Sequence, residues 1–477
     1  MSSDVDTVLA AADGARAEFA ALPGRVRARA LRRVADSLDA AAGELVSLAN
    51  RETNLPTTPR LHAELERTTF QLRLLAETVV DGRHLEATLD SPDTCWPAGG
   101  RADLRRMLVP VGPVVVFGAS NFPFAFSVAG GDTAAALAVG APVVVKANPG
   151  HPLLSDRTGE LVSAALASAD VPAGAFAVVH GEEAGRAAVV DPRIKAGAFT
   201  GSLAGGRALF DLACRRPDPI PFYAEMGSVN PVFVTESAAV ERAGGIAEGY
   251  VGSFTLGAGQ FCTKPGLVFV PESQAPAFEA LVASELAGHV AAPLLNERVA
   301  TGYESVLSGL RSHPAVREVV SGTAVAPTLL TCAAADFLTA HDELLVECFG
   351  PASMVVRYRD EAELLACARV FKGELTAAVH GSLEDAVAAD LLALLSDRVG
   401  RVLWNGWPTG VSVTYAMHHG GPYPATTAVG HTSVGTTSLR RFLRPVTYQN
   451  MPQALLPEVL RDGNPLGVPR LVDGRPG

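Results

Sequence analysis

Apolar positions recur at three- and four-residue spacing from about residue 5 to 81, where Leu31, Val34 and Leu38, then Leu72 and Leu75, stand among Arg and Glu. That spacing predicts a helical lead-in. Residues 85–106 carry Pro and Gly with no clear period. Beyond them, short β-rich runs alternate with stretches of small residues: VVVFG at 114–118, a helix over 133–139, PVVVK at 142–146, a helix over 160–169 and FAVVH at 176–180. The rhythm resumes after Asn230 with PVFVT, a helix near 238–250 and LVFVP. Strand, helix, strand in this order predicts βαβ units around a parallel sheet. The most apolar runs, such as 114–116 and 143–145, are a few residues long, whereas a membrane span needs about 20. No span is expected. From Met451 onward Pro, Asp and Gly predict an extended tail.

The chain has 477 residues, room for two or three domains at roughly 100–200 residues each. With 50 Asp plus Glu against 39 Lys plus Arg, its net charge is -11, which argues against a nucleic-acid partner. The six cysteines (Cys95, Cys214, Cys262, Cys332, Cys348, Cys367) form no CxxC and no zinc-type Cys/His spacing, so reduced thiols are expected rather than disulfides or a metal. The first residues lack a basic stretch followed by an apolar one. A cytoplasmic location is the expectation.

Three segments carry candidate chemistry. SFTLGAGQFCTKPG places Cys262 after a Gly-rich approach with little bulk to screen it; a lone Cys is otherwise a small buried hydrophobe. FYAEMGSVNP puts Glu225 in an apolar run, as a base or as a paired structural acid. FGASNFPF puts Asn121 after a β run, as an amide donor or a turn residue. In FTGSLAGG, Gly201, Ser202 and Gly206 suit either a phosphate-binding turn or a plain strand-to-helix turn. Lys146 ends an apolar strand in a chain with only four lysines.

Together these pieces resemble the aldehyde dehydrogenase superfamily from about Val109 to Pro445. NFP (121–123), VVVK (143–146), FTGS (199–202), AEMGSVNP, GQFC (259–262), ECFGP (347–351) and WNG (404–406) stand in the order that family uses. The resemblance implies a catalytic thiol at Cys262, a general base at Glu225 and an oxyanion-binding amide at Asn121. It also implies a cofactor site in which Lys146 binds the adenosine ribose, Gly201, Ser202 and Gly206 face the pyrophosphate, and Met226, Glu347 and Phe349 complete the set. Glu347 would hold the nicotinamide ribose. The chemistry is coherent: thiolate attack makes the aldehyde carbon tetrahedral and able to release hydride, and a carboxylate then activates water against the thioester. Apolar neighbours Phe222 and Met226 are expected to raise the Glu225 pKa.

The fold class implied is α/β: an aldehyde dehydrogenase fold with a Rossmann-like cofactor domain over 1–226, interrupted by an oligomerisation hairpin at about 92–110. A catalytic α/β domain would follow over 227–430, then an oligomerisation segment and tail over 431–477. A homodimer or homotetramer is expected. Pro149 stands where many NAD-preferring members carry Glu, which removes a charge that would repel a 2′-phosphate, so NADP is the expected cofactor, with NAD possible. Ser120 replaces a common Trp, and VAGGD at 128–132 offers no relay lysine. The stretch MHHGGPYPATTAVGHTS and the tail resemble the branch that oxidises α-ketoglutaric semialdehyde (2,5-dioxopentanoate), together with relatives acting on fatty aldehydes. Five aromatics (Phe122, Phe124, Phe126, Phe254, Trp407) suit an apolar tunnel or plain core. Adjacent His418 and His419 lack helical ligand spacing, so no metal is expected. A cysteine hydrolase is the alternative of another class, and no His in a readable motif supports its Cys/His pair.

Overall fold

The Val-rich runs become strands buried on both faces, as parallel strands between helices must be. The computed structural model describes residues 2–289, 292–321 and 326–476. Its lead-in is four helices, Ser2–Ala21, Gly24–Ala40, Ala42–Thr53 and His62–Asp81. The first packs on a five-stranded parallel sheet and the others on the helices Gly131–Val139 and Pro152–Ala167 that cover it; the strand order is Phe176–Val179, Val143–Lys146, Val114–Phe117, Ala196–Thr200, Phe222–Glu225. The chain winds outward one way from Val114–Phe117 and then the other from Ala196–Thr200. That reversal leaves a crevice outside the carboxyl ends of the two central strands, the usual place for a ligand in an open α/β sheet. Asn121 and Gly201 lie just beyond those ends.

A second sheet has seven strands, ordered Arg317–Val320, Thr328–Ala333, Ala352–Tyr358, Leu267–Pro271, Val232–Val234, Glu374–His380, Val399–Trp404. All its pairings are parallel except the first. Glu225 ends the first sheet and Val232 begins the second, so the linking residues 226–231 run between the two layers.

The third sheet joins Leu443–Gln449, Leu104–Pro110, Thr88–Asp90, Leu471–Val472 and Arg475–Pro476. Its hairpin starts earlier than the sequence suggests: Thr88–Asp90 is the strand opposite Leu104, Arg105 and Arg106, and 91–103 is the connection, closed by a bridge between Asp93 and Arg101. The tail folds back through Leu456, Leu460 and Val468, which bury against Leu89 and Met107. No helix among the described residues is long and apolar enough to cross a membrane.

Candidate active site

Cys262 follows a turn that only small residues permit. Gly257, Ala258 and Gly259 all have positive φ (58°, 56° and 69°), and a Cβ on Gly259 would lie 2.1 Å from the Gly350 carbonyl oxygen. Asn230 pins the far side, its Nδ2 donating to the carbonyls of Cys262 (2.8 Å) and Lys264 (3.0 Å). Asn121 Nδ2 donates to the Gln260 carbonyl at 3.1 Å, which brings the amide beside the thiol loop. The Cys262 N–H has no acceptor among the described residues.

Glu225, at the end of its strand, is 4% exposed. A returning segment crosses it: Met226 N–H donates to the Ala425 carbonyl (2.8 Å), and Glu225 bridges to Thr426. That segment carries His419, 2% exposed. His419 Nε2 lies 3.5 Å from Cys262 Sγ and 3.0 Å from Glu225 Oε1. Ser433 Oγ donates to Glu225 Oε2 at 2.6 Å, and Oε1 faces His419 Nε2. The His419 backbone is clamped by its N–H to Thr432 Oγ1 (2.8 Å) and by the Ser433 N–H to its carbonyl (2.9 Å).

These neighbours reverse one expectation. Burial pushes the Glu225 carboxyl up, but the adjacent imidazole and its contacts with His419, Ser433 and Cys262 outweigh burial and hold it below the usual carboxylate value. The Cys262 thiol moves the other way, raised well above its usual value by burial first and then by the carboxylates of Glu225 and Glu347. Cys262 is therefore held as a thiol with an imidazole next to it. Sγ, Nε2 and a carboxylate oxygen also lie within 4.8 Å of one another, a donor set that chain spacing alone conceals.

In the crevice, Ser202 caps the helix Leu203–Cys214 by accepting from the Gly205 N–H (3.3 Å), and Gly201, Ser202 and Leu203 are exposed at its start. Gly206 is buried against Met226, where a Cβ would meet Cγ at 2.6 Å. Lys146 is half-buried at its strand end, its pKa lowered by burial against the opposing pull of Glu182. Glu347 reaches over Gly227, whose Cβ would lie 2.6 Å from its Oε2. Burial lifts the Glu347 carboxyl to about 7 against the nearby Lys264 ammonium. Phe349 is partly buried against the core beneath the first sheet. The VAGGD segment has its own ion pair, Asp132 with Arg441 at 2.6 Å.

A family model described as "Aldehyde dehydrogenase family" matches residues 1–445. The chain belongs to the aldehyde dehydrogenase family. Aldehyde dehydrogenases oxidise their substrates with a nicotinamide dinucleotide, and this crevice fits one: an exposed helix N-terminus with Gly201 and Ser202 open at its start, at the same carboxyl edge of the sheet where Lys146 ends its strand. Among curated aldehyde dehydrogenases, the chain is 44% identical over 482 aligned residues to α-ketoglutaric semialdehyde dehydrogenase 2 of Azospirillum brasilense, covering 99% of this chain and 92% of that one. It is 43% identical to α-ketoglutaric semialdehyde dehydrogenase of Acinetobacter baylyi, covering 99% and 91%. The solved γ-glutamyl-γ-aminobutyraldehyde dehydrogenase of Burkholderia cenocepacia shares the fold at TM-score 0.80 and 22% identity, over 94% of this chain and 88% of that one.

Sequence reasoning in this aldehyde dehydrogenase weighed His419 only as a metal ligand and found no His to pair with Cys262, whereas the fold sets His419 beside that thiol. A signal was present in the glycines after the histidine: a Cβ on Gly421 would lie 2.2 Å from the Glu374 carbonyl oxygen, so the HHGG segment must pack backbone to backbone. Of the five tunnel aromatics, Phe122 and Phe126 do face the site, with Phe126 6.1 Å from the His419 ring. Phe124 and Phe254 are core, and Trp407 packs on Tyr250 and His380.

Proposed function

We propose that this aldehyde dehydrogenase oxidises 2,5-dioxopentanoate to 2-oxoglutarate through a thioester on Cys262. The two α-ketoglutaric semialdehyde dehydrogenases that align over nearly the whole chain support the substrate. The observation that carries the chemistry is the cluster of Sγ and carboxylate around His419 Nε2, at 3.5 and 3.0 Å. Cys262 sulfur attacks the aldehyde carbon as its proton passes to the lone pair of His419 Nε2, in the tautomer protonated at Nδ1, and the imidazolium N–H so formed faces Glu225 Oε1 at 3.0 Å. The oxygen that becomes anionic meets the Cys262 N–H and the second N–H of Asn121. A bound nicotinamide dinucleotide supplies the hydride acceptor, held by Lys146, Gly201, Ser202, Gly206, Met226, Glu347 and Phe349. The thioester that remains is opened by water, which gives a proton to the Glu225 carboxylate while His419 Nε2 returns its proton to the departing Cys262 sulfur. A cavity of about 20 Å³ between Glu225, Tyr223 and His431 has room for one water behind that carboxylate.

Asn121→Ala is expected to slow attack by about 10²–10³, the scale for one oxyanion donor. Rapid-mixing burst rates measure it, and an unchanged burst removes Asn121 from this role. For the cofactor we propose NADP over NAD, supported by the absence of an acid at Pro149 and by Lys146 at the strand end. NADP should give the higher kcat/KM, and Pro149→Glu should shift the ratio toward NAD. A tenfold preference for NAD in the native enzyme overturns the argument.

The apolar wall of Phe122, Phe126, Leu74, Val413 and Met417 favours a second reading, a fatty-aldehyde substrate. Assays from propanal to decanal beside the oxo acid separate the two: a rise with chain length that passes the oxo acid favours the second. The exposed outer edge of Leu443–Gln449, paired on one side only, supports a homodimer or homotetramer. Sedimentation as a monomer overturns that. The six free thiols suit a reducing cytoplasm.

A further inference from the structure

Arg60, Glu64 and Arg67 lie at intervals of four and three residues, so one side of the chain entering and forming the helix His62–Asp81 presents two cations and a single anion. Glu64 is fully committed. It takes Arg60 Nη1 on Oε2, and on Oε1 the backbone N–H groups of Phe124 (2.8 Å) and Ala125 (2.9 Å). Arg60 is committed as well, donating to the Asn121 carbonyl at 2.8 Å and lying over the Phe122 ring at 4.3 Å. Arg67 is left over. Its Nη1 and Nη2 are both buried with no hydrogen-bond partner, and no acid among the described residues is in ion-pair contact with it.

The guanidinium is nonetheless placed. Its carbon is 5.3 Å from the centre of the Phe126 ring, and that ring is the one beside His419. Leu74, two turns further along the same helix, joins Phe126, Val413 and Met417 in the apolar wall. The charges of Glu64, Cys262 and Glu225 all act on Arg67, so it lies within electrostatic range of the reacting groups. A buried cation with its planar fork unused, in an otherwise apolar wall, is complementary to a carboxylate that arrives with a ligand.

We propose that Arg67 binds the carboxylate of the substrate's far end, selecting aldehydes that carry an acid over uncharged aldehydes of equal length. This rests on the semialdehyde reading for the identity of the substrate, but the site itself follows from the unused guanidinium. Its fork would take both carboxylate oxygens, turning the molecule so that its aldehyde end points toward Cys262. The apolar wall would accept the methylenes between.

The test compares native enzyme with Arg67→Met and Arg67→Lys, using 2,5-dioxopentanoate and pentanal. The ratio of their kcat/KM values should fall about 30- to 1,000-fold in the Met variant, chiefly through KM for the oxo acid, with partial recovery in the Lys variant. In parallel, competitive inhibition by 2-oxoglutarate is measured with pentanal as the varied substrate. Its inhibition constant should weaken by a similar factor. Equal loss on both aldehydes, or an unchanged ratio and inhibition constant, overturns the assignment. Native enzyme that prefers pentanal, yet shows Arg67-dependent inhibition by 2-oxoglutarate, overturns the semialdehyde reading and upholds the carboxylate site.

Discussion

Cys262→Ala is expected to abolish aldehyde-dependent reduction of the cofactor, and Glu225→Gln to permit one turnover and then stall. The difference follows from where each group acts. Without sulfur no tetrahedral adduct forms, so no hydride is released and rapid mixing shows no burst. In the Glu225 variant the amide keeps the shape of the carboxylate, and the thiol and His419 remain. Removing the negative charge also takes away one cause of the raised thiol pKa. Attack and hydride release should therefore proceed to about one reduced cofactor per active site. The thioester then waits for a base, and steady-state turnover should fall about 10²–10⁴. Acid-quenched enzyme should carry the acyl group, measurable as added mass on the peptide holding Cys262. A Glu225 variant that turns over within tenfold of native enzyme would falsify this division of labour.

What could be read from the chain divides along a physical line. Strands such as Val114–Phe117 and Val143–Lys146 were legible because two-sided burial writes itself as an unbroken apolar run. Cys262 and Asn121 were legible as candidates because the turns that hold them need Gly and Pro nearby. The electrostatics were not. The sequence shows Glu225 beside Phe222 and Met226, which argues for a raised pKa. The fold adds Ser433, 208 positions away, and His419, whose partner Cys262 is 157 positions from it. Those two contacts reverse the sign. Phe254 and Trp407 fail as tunnel residues for a related reason: an aromatic reads the same in sequence whether it lines a cavity or fills a core. Arg67 was one arginine among many until the commitment of Glu64 to Arg60 and to two backbone amides left it unpaired.

The same geometry predicts that His419→Gln moves the pH dependence of both phases toward higher pH, for two different reasons. In native enzyme the imidazole lies 3.5 Å from the thiol and can take its proton, so attack is expected to proceed at neutral pH although the thiol itself ionises only well above it. With Gln the thiol must ionise unaided. The burst should slow about 10²–10⁴ near neutrality and recover as pH rises, because the thiolate fraction grows with pH. For thioester hydrolysis the argument runs through Glu225. Its carboxyl is held below the usual value by His419 against the upward push of burial. In native enzyme the base is thus ionised across the neutral range, and hydrolysis should lose rate only in acid. Remove the imidazole, and burial dominates: the carboxyl moves up, and hydrolysis should begin to fail as pH drops through the neutral range. Burst rates and single-turnover deacylation, followed from about pH 5 to 10 in both proteins, separate the two effects. A merely structural histidine would lower both phases by a constant factor at every pH. Profiles parallel to native in both phases would remove His419 from proton transfer and leave Glu225 as the only base in the site.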